Sequence, residues 1–193
     1  MNKARKQYGR LFFIFLLVFS CFFGIPGTPQ AIEPEIKDII ISNNKENVLL
    51  YARLVNGFKT DMETAILAGV PTVFTLLMDV YQVRSSLWDK KINSYEVKRT
   101  IKYDSIKKTF SIFTNGDRTP VIFPDFESAQ KAMSDLNGII VAPLQKLVKG
   151  NNYYLKVKVK IDKFRLPLHM EYIFLFVSFW DFETAWYKQN FSY

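Results

Sequence analysis

The chain of 193 residues is long enough for one domain with a short additional segment. Apolar residues make up 49% and charged residues 23%, which excludes a wholly disordered chain. A single cysteine and a single histidine exclude a disulfide scaffold, a thiolate zinc centre and any site that needs two imidazoles.

Residues 1–10 are basic, and residues 11–25 are almost wholly apolar and are followed by a Pro-Gly pair. This order is typical of a secretory signal. As a helix the apolar run extends only about 22 Å, less than the roughly 30 Å hydrocarbon core of a bilayer. The sequence therefore predicts that residues 1–31 are a signal peptide or N-terminal membrane anchor. Three fates stay open: cleavage, retention as an anchor, and lipoprotein processing at Cys21.

The predicted leader carries four of the 26 cationic residues, which leaves 22 against 18 acidic residues, or a net charge of +4 for the remainder. Half of the formal charge of +8 is therefore attributed to targeting. Modest basicity and export both argue against nucleic acid as a partner. We expect an exported, periplasmic protein that is either soluble or tethered to the inner membrane through residues 11–25.

The following residues, 32–193, show turn signals at short intervals, which is typical of a single β-rich domain. Apolar and β-branched runs predict strands over residues 36–42, 48–55, 72–84, 95–103, 108–114 and 153–163. Polar turns predict that the first and second of these strands, and the fourth and fifth, form hairpins. The third is apolar on both faces in its middle, so we expect it at the centre of a sheet.

Two short helices are expected to interrupt the strands. Asp61 is predicted to cap a helix over residues 62–68 that ends at a glycine. Asp125 is predicted to cap a second helix over residues 126–136. Residues 143–148 are expected to add one helical turn.

Residues 153–163 show the clearest strand pattern. Apolar and polar side chains alternate, so one face is expected in the core and the other in water. The polar face carries Lys156, Lys158 and Lys160, spaced about 7 Å apart along an extended strand. These lysines are candidate contacts for anionic lipid headgroups. The alternative is a solvated face that blocks edge-to-edge pairing.

The apolar run at residues 172–180 fits either a buried helix or a buried strand. We predict a helix that begins near Pro167, followed by a strand over residues 183–187. Core burial and contact with a membrane or a partner are both open for the run. In the second case the contact residues are Tyr172, Phe174, Phe176, Phe179 and Trp180.

Together these elements predict a mainly β fold with two short helices, preceded by the signal or anchor helix. The expected architecture is an antiparallel β-sandwich or a partly closed barrel. An eight-stranded outer-membrane barrel fits less well, because two helices interrupt the strands and the lysine stripe would need a lumen.

Several short motifs occur in a fixed order: Ala68-Gly69-Val70-Pro71, Ala142-Pro143-Leu144, Gly150-Asn151-Asn152-Tyr153, Arg165-Leu166-Pro167-Leu168, Trp180 and Thr184-Ala185-Trp186-Tyr187. In this order and spacing, over about residues 35–188, the chain resembles the family of exported Gram-negative bacterial proteins catalogued as domain of unknown function 4390. The resemblance implies an envelope location and one β-rich domain. It implies no activity and carries no catalytic residues.

The inventory for catalysis is small. His169 is the single imidazole, and the chain has no Gly-x-Ser-x-Gly elbow. Asp181 and Glu183, which lie beside aromatic residues, are a candidate pair for glycoside hydrolysis or for sugar binding. Calcium-loop and phosphate-loop motifs are absent from the sequence, so we predict no metal and no cofactor.

We therefore expect a non-enzymatic envelope module that binds a protein or lipid partner. The first alternative is a carrier or sensor that holds an apolar ligand between its sheets, which requires an aromatic-lined pocket of at least about 300 Å³. The second is a glycoside-type hydrolase using Asp181 and Glu183, which requires two carboxylates within about 5–10 Å in a cleft.

Overall fold

The computed structural model describes residues 33–86, 88–162 and 183–193. Within these ranges the strands are β1 (Glu35–Asn43), β2 (Asn47–Val55), β3 (Thr72–Gln82), β4 (Lys90–Asp104), β5 (Thr109–Thr114), β6 (Val121–Phe123), β7 (Ile139–Pro143), β8 (Asn152–Asp162) and β9 (Tyr187–Ser192). The helices are α1 (Thr60–Leu67) and α2 (Phe126–Ser134), and Leu144–Lys146 forms a turn of 3-10 helix.

The strands form two antiparallel sheets. The smaller sheet has the order β1-β2-β7, and the larger has the order β6-β5-β4-β3-β8-β9. The predicted mainly β fold with two short helices is therefore confirmed, as are both hairpins, β1-β2 and β4-β5. The central position predicted for β3 is also confirmed, since β3 pairs with β4 on one edge and with β8 on the other.

Both sheets and both helices contribute to one apolar core. Leu50 of β2, Val157 of β8 and Met62 of α1 are each fully buried there. Arg99 of β4 extends toward the end of α2, where its guanidinium donates hydrogen bonds to the carbonyl oxygens of Ala132, at 3.1 Å, and Asp135. These bonds satisfy carbonyl groups that the end of a helix leaves without partners. Burial lowers the pKa of Arg99, and the charge of Asp135 opposes that effect.

One predicted helix cap is confirmed and one is wrong. The Asp125 carboxylate accepts the Ser128 N–H at 2.7 Å and caps α2, which ends at Ser134, two residues earlier than predicted. The N-cap of α1 is Lys59 and not Asp61, because the Glu63 N–H donates to the Lys59 carbonyl and makes Thr60 the first helical residue. Asp61 lies in the first turn, where the helix dipole favours a carboxylate.

The strand predicted over residues 183–187 is also wrong, because β9 begins only at Tyr187. Glu183 forms an isolated bridge with Lys160 instead. Thr184 is buried beside β8: its hydroxyl accepts the Val159 N–H at 3.1 Å and donates to the Ala185 carbonyl. These contacts fix the chain against β8 before regular pairing begins.

Several predictions fall on residues outside the described ranges. They are the leader at 1–31, the helix predicted to begin near Pro167, the single imidazole of His169, the candidate contact run at 172–180, and Asp181.

Two buried threonines provide a stability test. The hydroxyl of Thr72 is buried and has no hydrogen-bond partner among the described residues, whereas that of Thr184 has two. Thr72→Val should raise the free energy of unfolding by about 1 kcal/mol, since it removes an unsatisfied polar group at constant volume. Thr184→Val should lower it by about 1–2 kcal/mol. Urea unfolding of both variants measures the two changes, and a loss of stability in Thr72→Val would contradict the assignment.

Candidate functional site

The larger sheet has one face in the core and one face turned away from it. In the β3-β8 register, Leu76 and Val159 pair with each other and are buried, while the next pair along, Leu77 and Lys158, points to the other side. We call the part of this other side that lies between Thr75 and Tyr81 of β3 the outer face. It includes Lys91, Ser94, Glu96 and Lys98 of β4, Thr75, Leu77, Asp79 and Tyr81 of β3, Tyr154, Lys156, Lys158 and Lys160 of β8, Lys188 of β9, and Glu183 and Trp186 just before β9.

The three lysines singled out in the sequence, Lys156, Lys158 and Lys160, lie in a row on the outer face, but all three are partly buried. The side chain of Lys158 is 13% exposed, and its ammonium lies 2.6 Å from a Glu183 carboxylate oxygen. The same ammonium lies 5.3 Å from the centre of the Trp186 ring. The lysine stripe is therefore integrated into the surface of the sheet and is not a row of free cations.

Aromatic rings contact several of the cations on the outer face. Tyr81 and Tyr154, which pair across β3 and β8, stack with their ring centres 5.0 Å apart and their planes 11° apart. The ammonium groups of Lys91 and Lys156 lie 5.5 and 5.6 Å from the Tyr81 ring centre, and that of Lys188 lies 4.0 Å from the Tyr154 ring centre. These are cation–π distances, and such contacts hold ammonium groups at fixed positions.

Asp79 fixes the β4 side of this group of lysines and tyrosines. Its carboxylate accepts hydrogen bonds from the Lys91 ammonium at 2.8 Å and the Ser94 hydroxyl at 2.6 Å. Burial alone would raise the pKa of Asp79, but these hydrogen bonds and the charges of Lys91 and Lys156 outweigh it, so the pKa lies below its ordinary value. The hydrogen bond to Asp79 correspondingly raises the pKa of Lys91.

Tyr154 connects the outer face to the loop between β3 and β4. Its hydroxyl donates to the Asp89 carboxylate at 3.0 Å, and the Arg84 N–H donates to the same carboxylate at 3.2 Å. Burial, together with the bond to Asp89, raises the pKa of Tyr154, so this hydroxyl stays protonated at neutral pH.

The outer face carries an excess of positive charge. Among the described residues its cations are Lys91, Lys98, Lys156, Lys158, Lys160 and Lys188, and its carboxylates are Asp79, Glu96 and Glu183, so six minus three leaves three charges in excess within this set. Each of these carboxylates is within 3.0 Å of a lysine ammonium, and the positive excess that remains suits the binding of an anion. The sequence did not indicate Tyr81, Asp79 or Lys188, which reach the site through strand pairing.

Two cavities bear on the expectation of a ligand between the sheets. In the described part of the chain, a cavity inside the core, lined in part by Leu54, Phe74 and Val159, holds about 10 Å³, or about one water molecule. A larger groove of about 890 Å³ is open to solvent between β2 and α2. Its lining mixes apolar Tyr51 with charged Lys131, so it differs from the enclosed aromatic pocket that a carrier requires.

Within the described ranges, no group of three or more His, Cys, Asp or Glu side chains is placed to hold a metal ion. No helix of the same ranges has the length and hydropathy that crossing a bilayer requires.

Comparison with known proteins gives one match. The family model described as Domain of unknown function (DUF4390) matches residues 31–190. No curated protein and no solved structure matches the chain with significance.

The depressed pKa of Asp79 makes stability depend on pH. Its contribution is fully present above the ordinary value of 3.8 and is lost as the pH falls through the lower pKa of the folded state. Asp79→Asn should therefore lose about 1–2 kcal/mol of unfolding free energy at about pH 7 and much less at about pH 2. Ser94→Ala, which removes one of the two hydrogen bonds, should give an intermediate loss. Urea unfolding at both pH values measures this, and an equal loss at both would contradict it.

Proposed function

This chain belongs to the DUF4390 family, whose description gives no activity, and we propose from the outer face that it is an exported, non-catalytic envelope module that binds an anionic protein or lipid partner. The carrying observation is that Lys91, Lys156 and Lys188 are held in place by tyrosine rings and by Asp79, on a face whose described residues include six lysines and three carboxylates. A pre-organised basic surface attracts an anionic partner at a low cost in side-chain entropy.

The architecture suits this role. The two sheets share residues of one core, such as Leu50 and Val157, and we interpret them as a β-sandwich that leaves the outer face uncovered by the smaller sheet. Export is proposed from the basic and apolar order of residues 1–25.

The alternatives have weaker support. A carrier needs an enclosed pocket, and the cavity that the described residues form between the sheets near Leu54, Phe74 and Val159 holds about 10 Å³. For the hydrolase, Glu183 is held by Lys158 at 2.6 Å, and Asp181 lies outside the described residues. A substrate would therefore have to compete with the Lys158 ammonium for the Glu183 carboxylate.

Export is tested with a reporter that is active only outside the cytosol. Alkaline phosphatase fused after residue 35 should be active in Gram-negative cells, because residues 1–31 direct it across the inner membrane. A matched fusion that lacks residues 11–25 should be inactive. An inactive full fusion that is expressed at the same level would remove the export part of the proposal.

Binding is tested with full-length chain and vesicles of phosphatidylcholine, with and without phosphatidylglycerol. The triple variant Lys156→Gln, Lys158→Gln, Lys160→Gln should weaken sedimentation with anionic vesicles by at least about tenfold, since each cation near an anionic surface contributes about 1 kcal/mol. The control variant Lys45→Gln, Lys107→Gln, Lys108→Gln makes the same charge change in exposed turns. Equal weakening in both variants would show that net charge, and not the outer face, determines binding.

A further inference from the structure

Two loops meet at one end of the six-stranded sheet. The Val83 N–H donates to the carbonyl oxygen of Asn152 at 2.9 Å, and the Asn151 N–H donates to that of Val148 at 3.4 Å. The loop from β3 to β4 and the turn before β8 therefore lie side by side. We call this end of the sheet the tip, comprising residues 83–86, 88–89 and 147–151.

The tip exposes large apolar side chains from both loops. Trp88 is 93% exposed, Val148 is 61% exposed and Val83 is 46% exposed. Three apolar side chains that remain in water at one end of an otherwise well-packed body indicate an interaction site. The site does not depend on the outer-face lysines, since the exposed side chains belong to the loops.

Hydrogen bonds fix both loops to β8. Asp89, next to Trp88, accepts the Tyr154 hydroxyl at 3.0 Å. On the other loop, the Tyr153 hydroxyl accepts the Val148 N–H at 2.8 Å and donates to the Val148 carbonyl at 3.2 Å, and the Tyr153 ring is buried. These hydrogen bonds to β8 fix the backbone next to Trp88 and at Val148. Little conformational entropy is therefore lost when the tip binds a partner.

Cations flank the apolar side chains. Arg84, Lys90 and Lys149 are exposed, and within the described part of the chain none of them forms an ion pair. The carboxylate of Asp89 is occupied by the Tyr154 hydroxyl and the Arg84 N–H. The tip therefore presents positive charge beside a tryptophan and aliphatic side chains, which complements an anionic lipid interface.

We propose that the tip is a membrane-contact site, at which Trp88, Val83 and Val148 enter the headgroup region of an anionic bilayer while Arg84, Lys90 and Lys149 contact lipid phosphates. This inference rests on the proposed binding function and names a lipid surface as its partner. A bilayer is favoured over a protein because the apolar side chains stand on two separate loop ends. Protein interfaces instead centre on well-packed, fully desolvated pockets.

The test uses the full-length chain with Cys21→Ser and one new cysteine carrying an environment-sensitive fluorophore. The tip positions are Trp88→Cys and Val148→Cys. The control is Ile106→Cys, which is 92% exposed in the β4-β5 turn at the opposite end of the sheet. Sedimentation of each labelled chain with the vesicles is measured in parallel, so that recruitment by any other segment is recorded separately from contact at the tip.

With vesicles that contain phosphatidylglycerol, both tip labels should brighten severalfold and be quenched by nitroxides on the lipid acyl chains, while the label at position 106 should do neither. Trp88→Ser should shift the response at position 148 to about tenfold more lipid, whereas Ile106→Ser should not.

Tip labels that remain in a water-like environment while the chain sediments would overturn the tip contact and leave the proposed function intact. A chain that does not sediment with anionic vesicles would overturn the lipid partner for both. Tip labels shielded by envelope protein in the absence of lipid would instead assign the tip to a protein partner and overturn this inference.

Discussion

The pairing of β8 with β3 is the constraint on which both surfaces of this protein depend. The register places Leu76 against Val159 on the core side and Asp79 against Lys156 on the outer side. Because side chains alternate along a strand, a slip of one residue would bury the lysines and expose the valines together. The apolar alternation that drives core formation therefore also determines where the charges lie, and a basic face follows from folding itself.

Six ammonium groups on one face repel one another, and the outer face limits that cost in two ways. Carboxylates offset part of the positive charge: Asp79 interacts with both Lys91 and Lys156, and Glu183 pairs with Lys158. Tyrosine rings contact other cations: the ammonium groups of Lys91 and Lys156 lie over the Tyr81 ring, and that of Lys188 lies over the Tyr154 ring. Rings carry no net charge, so they hold the lysines without cancelling them, and the face keeps its positive excess.

Local sequence pattern predicted those parts of the fold whose cause is local. Period-two alternation in residues 153–163 predicted both the strand and its lysine face, and Asp125 predicted the start of α2. It did not predict β6, β7 or β9, nor the first residues of β4. β7 has only five residues after a helix and owes its strand conformation to pairing with β2, about 90 positions earlier in the chain.

The lysine partners were missed for the same reason. Lys156 meets Tyr81 only because β3 and β8 are neighbours, and Lys188 meets Tyr154 only because β9 adds to the free edge of β8. Glu183 lies beside aromatic residues in the sequence, but its interaction with Lys158 depends on the bridge to Lys160. The sequence therefore predicted the position of the β8 lysines on one strand face. It did not predict the contacts with rings and carboxylates that determine how far these lysines can bind a partner.

The outer face and the tip share a border at Tyr154, whose ring belongs to the face and whose hydroxyl holds Asp89 of the tip loop. Attraction by the lysines is electrostatic and is screened over about 10 Å at about 0.1 M salt. Burial of Trp88 and Val148 does not weaken in this way, because it depends on apolar area removed from water. Under the proposed function, the two adjoining surfaces have different parts in association: the face attracts an anionic partner over distances of about 10 Å, and burial of the apolar side chains of the tip holds that partner after contact at any salt concentration.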